Sequence, residues 1–300
     1  MTKPNKIEGK KLITAKSIGV ILTLMFLCGI PPLTLKADLP YEIPGSRAAS
    51  LAYSTTSLTD GWSLFHNQAG LGFQEHAWVG VHHENRFITP ELAFSALGGI
   101  IPLKPGALGV SIKRLGFSKF NQTKFGLAYG MKLAPTLSAG VQLNAHHLFF
   151  AGEYGSTTSF SAEGGIIYTP TQSFSIGAYV FNPTRSRLHE EERISTTLAL
   201  GVSYQISPMV LVTAGAQQDI NHPIDLKAGI EFIPINNLYL RGGFSSNPTL
   251  LSFGVGYKFS GFEIDLAFSR HEYLGYTPHF SLAYAFGQKL AKGSNHPTDP

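Results

Sequence analysis

The sequence is short of charge, nearly free of cysteine, and without a long apolar or amphipathic helix. Asp, Glu, Lys and Arg make up 14% of its 300 residues, low for a soluble enzyme. A single cysteine, Cys28, rules out a disulfide framework. No stretch keeps a helical period long enough to form a long amphipathic helix, and the mean hydropathy of +0.06 is too polar for a bundle of membrane helices. What the chain has in quantity is aromatic residues (12%) and glycine (32 residues). Strands with one wet face and one greasy face produce that combination.

The N-terminus carries an address. Lys3, Lys6, Lys10, Lys11 and Lys16 precede an apolar run from Ile18 to Ile30, then Pro31 and Pro32, and Leu35-Lys36-Ala37 offers a small residue before a cut. This predicts a secretory signal peptide over 1–37, cleaved after Ala37. A membrane helix needs roughly 20 apolar residues, and the prolines interrupt this run too soon. Leu27 is too large to precede a lipidated Cys28, so no lipid anchor is expected. Residues 1–37 hold six lysines and one acid, which leaves 17 basic against 18 acidic residues in the mature chain. The sequence pI of 9.0 is thus the signal peptide's, and nucleic acid is excluded as a partner.

From His76 onward, segments of roughly 10 residues alternate with period two, the mark of a transmembrane β-barrel. Phe280, Leu282, Tyr284 and Phe286 alternate with Ser281, Ala283 and Ala285; Phe262, Ile264, Leu266 and Phe268 alternate with Glu263, Asp265, Ala267 and Ser269. The pattern predicts an all-β, antiparallel barrel of about fourteen strands over 75–287, an even number as single-chain barrels prefer. Every other connection is tight and marked by proline, asparagine or glycine, as at Ala134-Pro135-Thr136, Ser207-Pro208 and Ser260-Gly261. Those between are mostly longer and more polar, as at Glu84–Pro90, Asn182–Arg193 and His271–Pro278. Short periplasmic turns alternating with longer external loops are the barrel arrangement. Residues 288–300 carry no pattern and are expected to be disordered.

Between the signal and the first strand lies a segment, 38–74, that is not strand-like. It contains Gly45-Ser46-Arg47-Ala48-Ala49-Ser50, then Asp60-Gly61-Trp62, then Asn67-Gln68-Ala69-Gly70-Leu71. This resembles the N-terminal region of the fatty-acid transporter-like (FadL-type) barrels, most closely their PorV/PorQ branch. There a Gly-Ala/Ser-Arg start is followed by an acidic-aromatic stretch and Asn-Pro-Ala-Gly-Leu. The resemblance implies a monomeric barrel in outer-membrane lipid, closed by a hatch that includes Arg47, Asp60, Trp62, Asn67, Ala69 and Gly70. It further implies a non-enzymatic accessory role in protein export by the type IX secretion system or in surface assembly, with secretion-system or cargo proteins as partners. The alternative it carries is transport of hydrophobic small molecules such as fatty acids. Gln68 stands where the family has proline, which would fix the backbone, so this hatch is expected to be looser or differently turned.

Alternation assigns Lys124, Lys132, Gln142, Asn144, Glu163, Gln217, Lys227, Glu231, Arg241, Lys258, Glu263 and Asp265 to the lumen. With both signs present, they are expected to fill and cross-link the interior and contact the hatch rather than to conduct. Arg47 is a candidate to pair with Glu163, Glu231 or Asp265. The adjacent pairs His82-His83 and His146-His147 split between the two faces of a strand and cannot chelate as units, so no metal or other cofactor is expected. Ser269-Arg270-His271-Glu272 alternate in direction and do not converge, and no catalytic residue is assigned. The glycine pairs Gly98-Gly99, Gly164-Gly165 and Gly242-Gly243 are read as relieving crowding in the lumen rather than kinking the wall.

Overall fold

A computed structural model describes residues 42–152, 155–186, 194–220 and 222–287. The expected signal peptide, the first residues of the hatch, residues 187–193 of the charged loop and the tail from 288 lie outside them.

Fourteen antiparallel strands close into a barrel in which each pairs with its neighbours in sequence and the first pairs with the last. They are β1 (Trp78–Asn85), β2 (Ala93–Pro102), β3 (Gly106–Gly116), β4 (Phe120–Ala134), β5 (Leu137–Phe150), β6 (Ser156–Thr171) and β7 (Phe174–Phe181). The second half comprises β8 (Thr197–Ser207), β9 (Val210–Asp219), β10 (Asp225–Ile235), β11 (Leu238–Ser246), β12 (Thr249–Phe259), β13 (Phe262–His271) and β14 (Gly275–Ala285). Outward positions are apolar and exposed, among them Val141, Leu143, Phe160, Leu200 and Phe253. An apolar surface that runs round the whole barrel is stable only in a bilayer.

Several strand limits differ from the sequence expectation, among them β1, which runs on through Glu84 to Asn85, and two at prolines. β6 continues through Pro170, because a register shift between Tyr168 and Thr171 takes the proline, which has no N–H, out of the ladder before Thr171 pairs with Phe174. β14 begins at Gly275, so the expected loop His271–Pro278 shrinks to a three-residue turn, 272–274. Pro278 is tolerated inside the strand because it lies one step beyond the last pair with β1, Glu84 opposite His279, and faces Phe268 of β13.

Residues 42–74 run inside the barrel, with one short helix, α1 (Ser46–Ser50), and two 3-10 turns at Gly61–Phe65 and Gln68–Phe73. The hatch makes a circuit of the inner wall. Trp62 lies against Gly80 of β1, Leu64 against Gly98 and Gly109, and Gln68 against Gly130 and Gly140. Asn67 meets Gly165, Thr56 meets Gly177 and Gly201, Ser54 meets Gly215, Leu51 meets Gly229 and Gly243, and Ser50 meets Gly254. Each of β1 to β12 therefore gives up a side chain where the hatch passes. At Gly140 a methyl group would overlap the backbone of Gln68, and at Gly177 the backbone of Thr56. In the pairs singled out from sequence, Gly98, Gly165 and Gly243 meet the hatch, whereas Gly99 has only ordinary contacts with Trp78 and Val110.

Apolar side chains complete the seal. Trp62, Leu64, Phe65 and Leu71 of the hatch pack with Trp78, Phe94, Ile100 and Leu115 of the wall. The Trp62 and Trp78 rings meet edge to face at 5.1 Å. Gly140→Val is expected to lower stability by about 1–3 kcal/mol, the usual cost of overpacking, and Gly99→Ala by less than about 0.5 kcal/mol. Urea unfolding in detergent micelles, read beside protease sensitivity of residues 42–74, checks the contrast.

Candidate functional site

The hatch is locked electrostatically where α1 meets the wall. Arg47 donates from Nε and Nη2 to the two carboxylate oxygens of Glu231, both at 2.9 Å, and from Nη1 to Asp60 at 2.5 Å. Glu231 also accepts from Arg241 Nε at 2.5 Å, and Arg241 Nη1 donates to Asp265. The result is a chain of alternating sign, Asp60–Arg47–Glu231–Arg241–Asp265, that ties the hatch to β10, β11 and β13. Gly256 makes room for it, since a side chain there would overlap the Asp265 carboxylate and the Arg241 guanidinium. Arg47 grips Glu231 with two parallel bonds, the geometry in which a charge-assisted bond is strongest, while Arg241 bridges two carboxylates with one bond to each.

A second cluster lies under the other side of the hatch. Lys124 Nζ reaches both oxygens of Glu163 at 3.1 Å, and Gln142 and Tyr179 donate to the same carboxylate. Gln68, fully buried, donates to Leu64 O at 3.1 Å and to Glu163 at 3.4 Å. The expectation of a looser hatch at this position is therefore corrected: the amide of Gln68 anchors the turn through its side chain. Asn67 accepts from Ala69 N at 3.2 Å and donates to Thr56 O at 2.8 Å, joining two passes of the hatch. The Ala69 carbonyl accepts from Ser138 Oγ at 2.6 Å, and Gly70 lies so close to Ser63 that no side chain fits there.

Of the other residues assigned to the lumen, Asn144 adjoins the Glu163 cluster through Gln142, and the rest lie apart. Lys227 bonds Gln217 at 2.8 Å and stands 3.5 Å from Asp225. Lys258 pairs with Glu263 at 3.2 Å. Both line, with Asp60 and Tyr239, a pocket of about 500 Å³ at the end of the barrel where the strand-linking turns are tightest. Lys132 sits exposed at the same rim with its ammonium over the Phe73 ring. Asn144 is buried and takes a bond from Gln142 at 2.7 Å.

A third cluster, at the opposite end, escaped the sequence reading. Arg86 pairs with Glu84 at 2.6 Å and with Glu42 of the hatch at 3.1 Å, and Lys113 donates to Glu42 O at 2.6 Å. Period two puts Glu84 on the face of His82, but the first strand was expected to end before it. His82 is buried against Trp62 and Phe94, whereas His83 is exposed and bonded to Ser95, so the pair splits between the faces as expected. Ser269 faces the lumen and bonds His279 at 2.9 Å, while His271 holds the next turn through the Tyr273 and Leu274 amides.

Two apolar surfaces face each other across the wall formed by β5 to β8. Inside, Leu148, Tyr179, Phe181, Ile194 and Ala199 pack together, with Phe120 beside them. Outside, a groove of about 600 Å³ runs between Val141, Ile166, Leu198 and Leu200, floored by Gly164 and Ala178. The strand ladders through this region are unbroken from Val141 to Leu198, so the wall is shut.

Burial alone would push the Asp60 carboxyl up, but Arg47 and His66 outweigh it and hold it well below the usual carboxylate range. A depressed native pKa contributes stability above the unfolded value of about 3.9 and loses it as pH falls through the native value. Asp60→Asn is thus expected to cost about 2 kcal/mol at neutral pH, the value of a charged hydrogen bond. The difference from the unchanged protein should hold down to about pH 4 and shrink below it. Unfolding measured across pH checks this; a difference that fades already near neutrality would contradict it.

No family model matches the sequence, and no curated protein resembles it in sequence. Solved structures do resemble its fold. The toluene transporter TbuX of Ralstonia pickettii superposes with a TM-score of 0.63 at 12% identity, over 82% of this chain and 98% of that one. CymD, a monoaromatic hydrocarbon channel, gives 0.65 at 13% identity over 82% and 98%. A FadL homologue of Pseudomonas aeruginosa gives 0.59 at 12% over 83% and 99%. At such identities the likeness is one of architecture: the chain has the closed, fourteen-strand fold of FadL-type outer-membrane barrels.

Proposed function

We propose that this protein is an outer-membrane channel for small hydrophobic molecules. The observation that carries the reading is the wall between β5 and β8, with an aromatic cluster on its inner side and the apolar groove on its outer side. A polar solute entering the lumen meets a hatch packed against glycines and bound by ion pairs. An apolar solute finds surface on both sides of this wall segment, where Gly164 offers no side chain to the outer groove. Because the ladders here are unbroken, sideways passage requires these strands to part locally, after which the solute moves from apolar surface into lipid at little desolvation cost. The structural relatives point the same way, since those named above include a toluene transporter and a monoaromatic hydrocarbon channel.

This ranks hydrophobic transport above export accessory work, the reverse of the order implied by the PorV/PorQ resemblance. Holding a protein cargo needs external surface. Among the described residues, the connections at the end opposite the tight turns include the three-residue segments 117–119 and 272–274 and the two-residue segment 247–248.

Purified protein in liposomes is expected to admit toluene or a fluorescent fatty acid and to give no swelling with sugars. Ala178→Phe, which fills the groove from outside, should cut hydrophobic uptake several-fold while the barrel remains folded by its heat-modifiable mobility on gels. Sugar permeation by the intact barrel, or unchanged uptake in Ala178→Phe, would reject the reading.

A further inference from the structure

The closure seam of the barrel, where the first strand meets the last, carries a convergence of ligands. His82 and Glu84 are two residues apart on β1 and so share the inner face; His279 is directly opposite Glu84 on β14. His82 Nε2 lies 3.2 Å from Glu84 Oε2, and His279 Nδ1 lies 2.9 Å from the same oxygen. All three donor atoms fall within 4.8 Å of one another, and all three residues are buried.

The far nitrogen of each ring is already occupied. His82 Nδ1 bonds Ser281 Oγ at 2.9 Å, and His279 Nε2 bonds Ser269 Oγ at 2.9 Å. Glu84 is steadied from its other oxygen by Arg86 Nε at 2.6 Å. A hydroxyl or a charged group fixing each ligand from behind is how metal sites orient their histidines and carboxylates. The near nitrogen of His279, despite its closeness to Glu84, makes no aligned hydrogen bond. A proton on His82 Nε2 can bond Glu84 Oε2 at 3.2 Å, but it leaves the His279 nitrogen unserved, whereas a cation between the three atoms would engage all of them.

We propose that His82, Glu84 and His279 bind a first-row divalent cation, zinc above the others, which staples β1 to β14. Two histidines and one glutamate with a further position open is a familiar zinc donor set. Tetrahedral ligands held about 2.1 Å from zinc stand about 3.4 Å apart, against 3.2 and 2.9 Å for the two histidines to Glu84, so binding needs side-chain shifts of about half an ångström or more. Imidazole with carboxylate suits zinc, copper and nickel and discriminates against magnesium and calcium. Arg86 is the most exposed member of the cluster, its side chain 22% accessible, so a cation reaches the site past the segment that follows β1. Because the ligands come from both terminal strands, the bound metal adds a cross-link at the one ladder in the barrel not joined by a neighbouring turn.

The same residues also place Ser269, His279 and Glu84 in the order of a nucleophile, a base and an orienting acid. The unaligned His279 nitrogen and the second histidine on Glu84 favour the metal over that arrangement.

The test uses the full mature barrel, freed of metal with EDTA and titrated with zinc in detergent by calorimetry, with thermal unfolding in parallel. One zinc per chain is expected, with an unfolding temperature that rises as zinc is added. His279→Gln should abolish both effects. Ser269→Ala, which removes only the support behind His279, should weaken binding about 10–100-fold. His83→Gln, on the outer face beside the site, should leave binding unchanged. No zinc uptake by the intact barrel, or equal uptake in His279→Gln that has kept its heat-modifiable folded form, would overturn the proposal. So would covalent labelling of Ser269 by a fluorophosphonate without zinc binding, which would assign the cluster to acyl transfer instead.

Discussion

Space inside the wall governs the rest of this structure. A barrel of fourteen strands normally fills its lumen with inward side chains or with water. Here a whole stretch of polypeptide takes that place, and it fits only because one strand after another presents glycine where the hatch goes by. The approach is backbone to backbone at Gly140 and Gln68 and at Gly243 and Leu51. Glycine weakens a strand through its entropy and lack of packing surface. That loss is spread round the barrel and offset where buried hatch residues such as Leu51, Leu64 and Leu71 fill the space.

Close packing seats the hatch residue by residue, and the charges reinforce the same seat. Arg47 reads the two oxygens of Glu231 as a pair, Gln68 finds Glu163, and Arg86 bridges Glu42 and Glu84. The three attachments stand on different strands, so a single orientation satisfies all of them. Charges of opposite sign buried together stabilise little against apolar residues of the same size, but they penalise every arrangement that separates them. In this lumen they act as register marks more than as glue.

The wall was largely legible in the sequence and the interior was not, for a physical reason. Period two is imposed by lipid on one side of every strand, and it survives in Phe262, Ile264, Leu266 and Phe268 whatever their partners. It also gives the inward side of Lys124, Glu163, Glu231, Arg241 and Asp265, though not what they bond. The glycines left no such mark, because an absent side chain does not show what takes its space. Gln68 misled for a related reason: backbone logic asks what proline would have fixed, whereas the structure holds that turn through a side chain. The cluster of Glu42, Glu84, Arg86 and His279 joins residues from both ends of the chain, with Glu84 at a strand limit and Arg86 just beyond it. No local pattern gathers them. Pro278 hid the start of β14, since a proline in a strand is permitted only where one neighbour is missing, and that is a property of the finished barrel.

One contact bears on how the molecule is put together. Ser46, at the start of α1, bonds through both its backbone N–H and its hydroxyl to Ser281 of β14, 235 residues later. The hatch precedes every strand in the chain, yet part of its seat is the last strand in the sequence. β14 thus serves two neighbours at once, pairing with β1 to close the wall and holding the hatch from within. Loss of β14 would cost the hatch part of its seat as well as the barrel its seam.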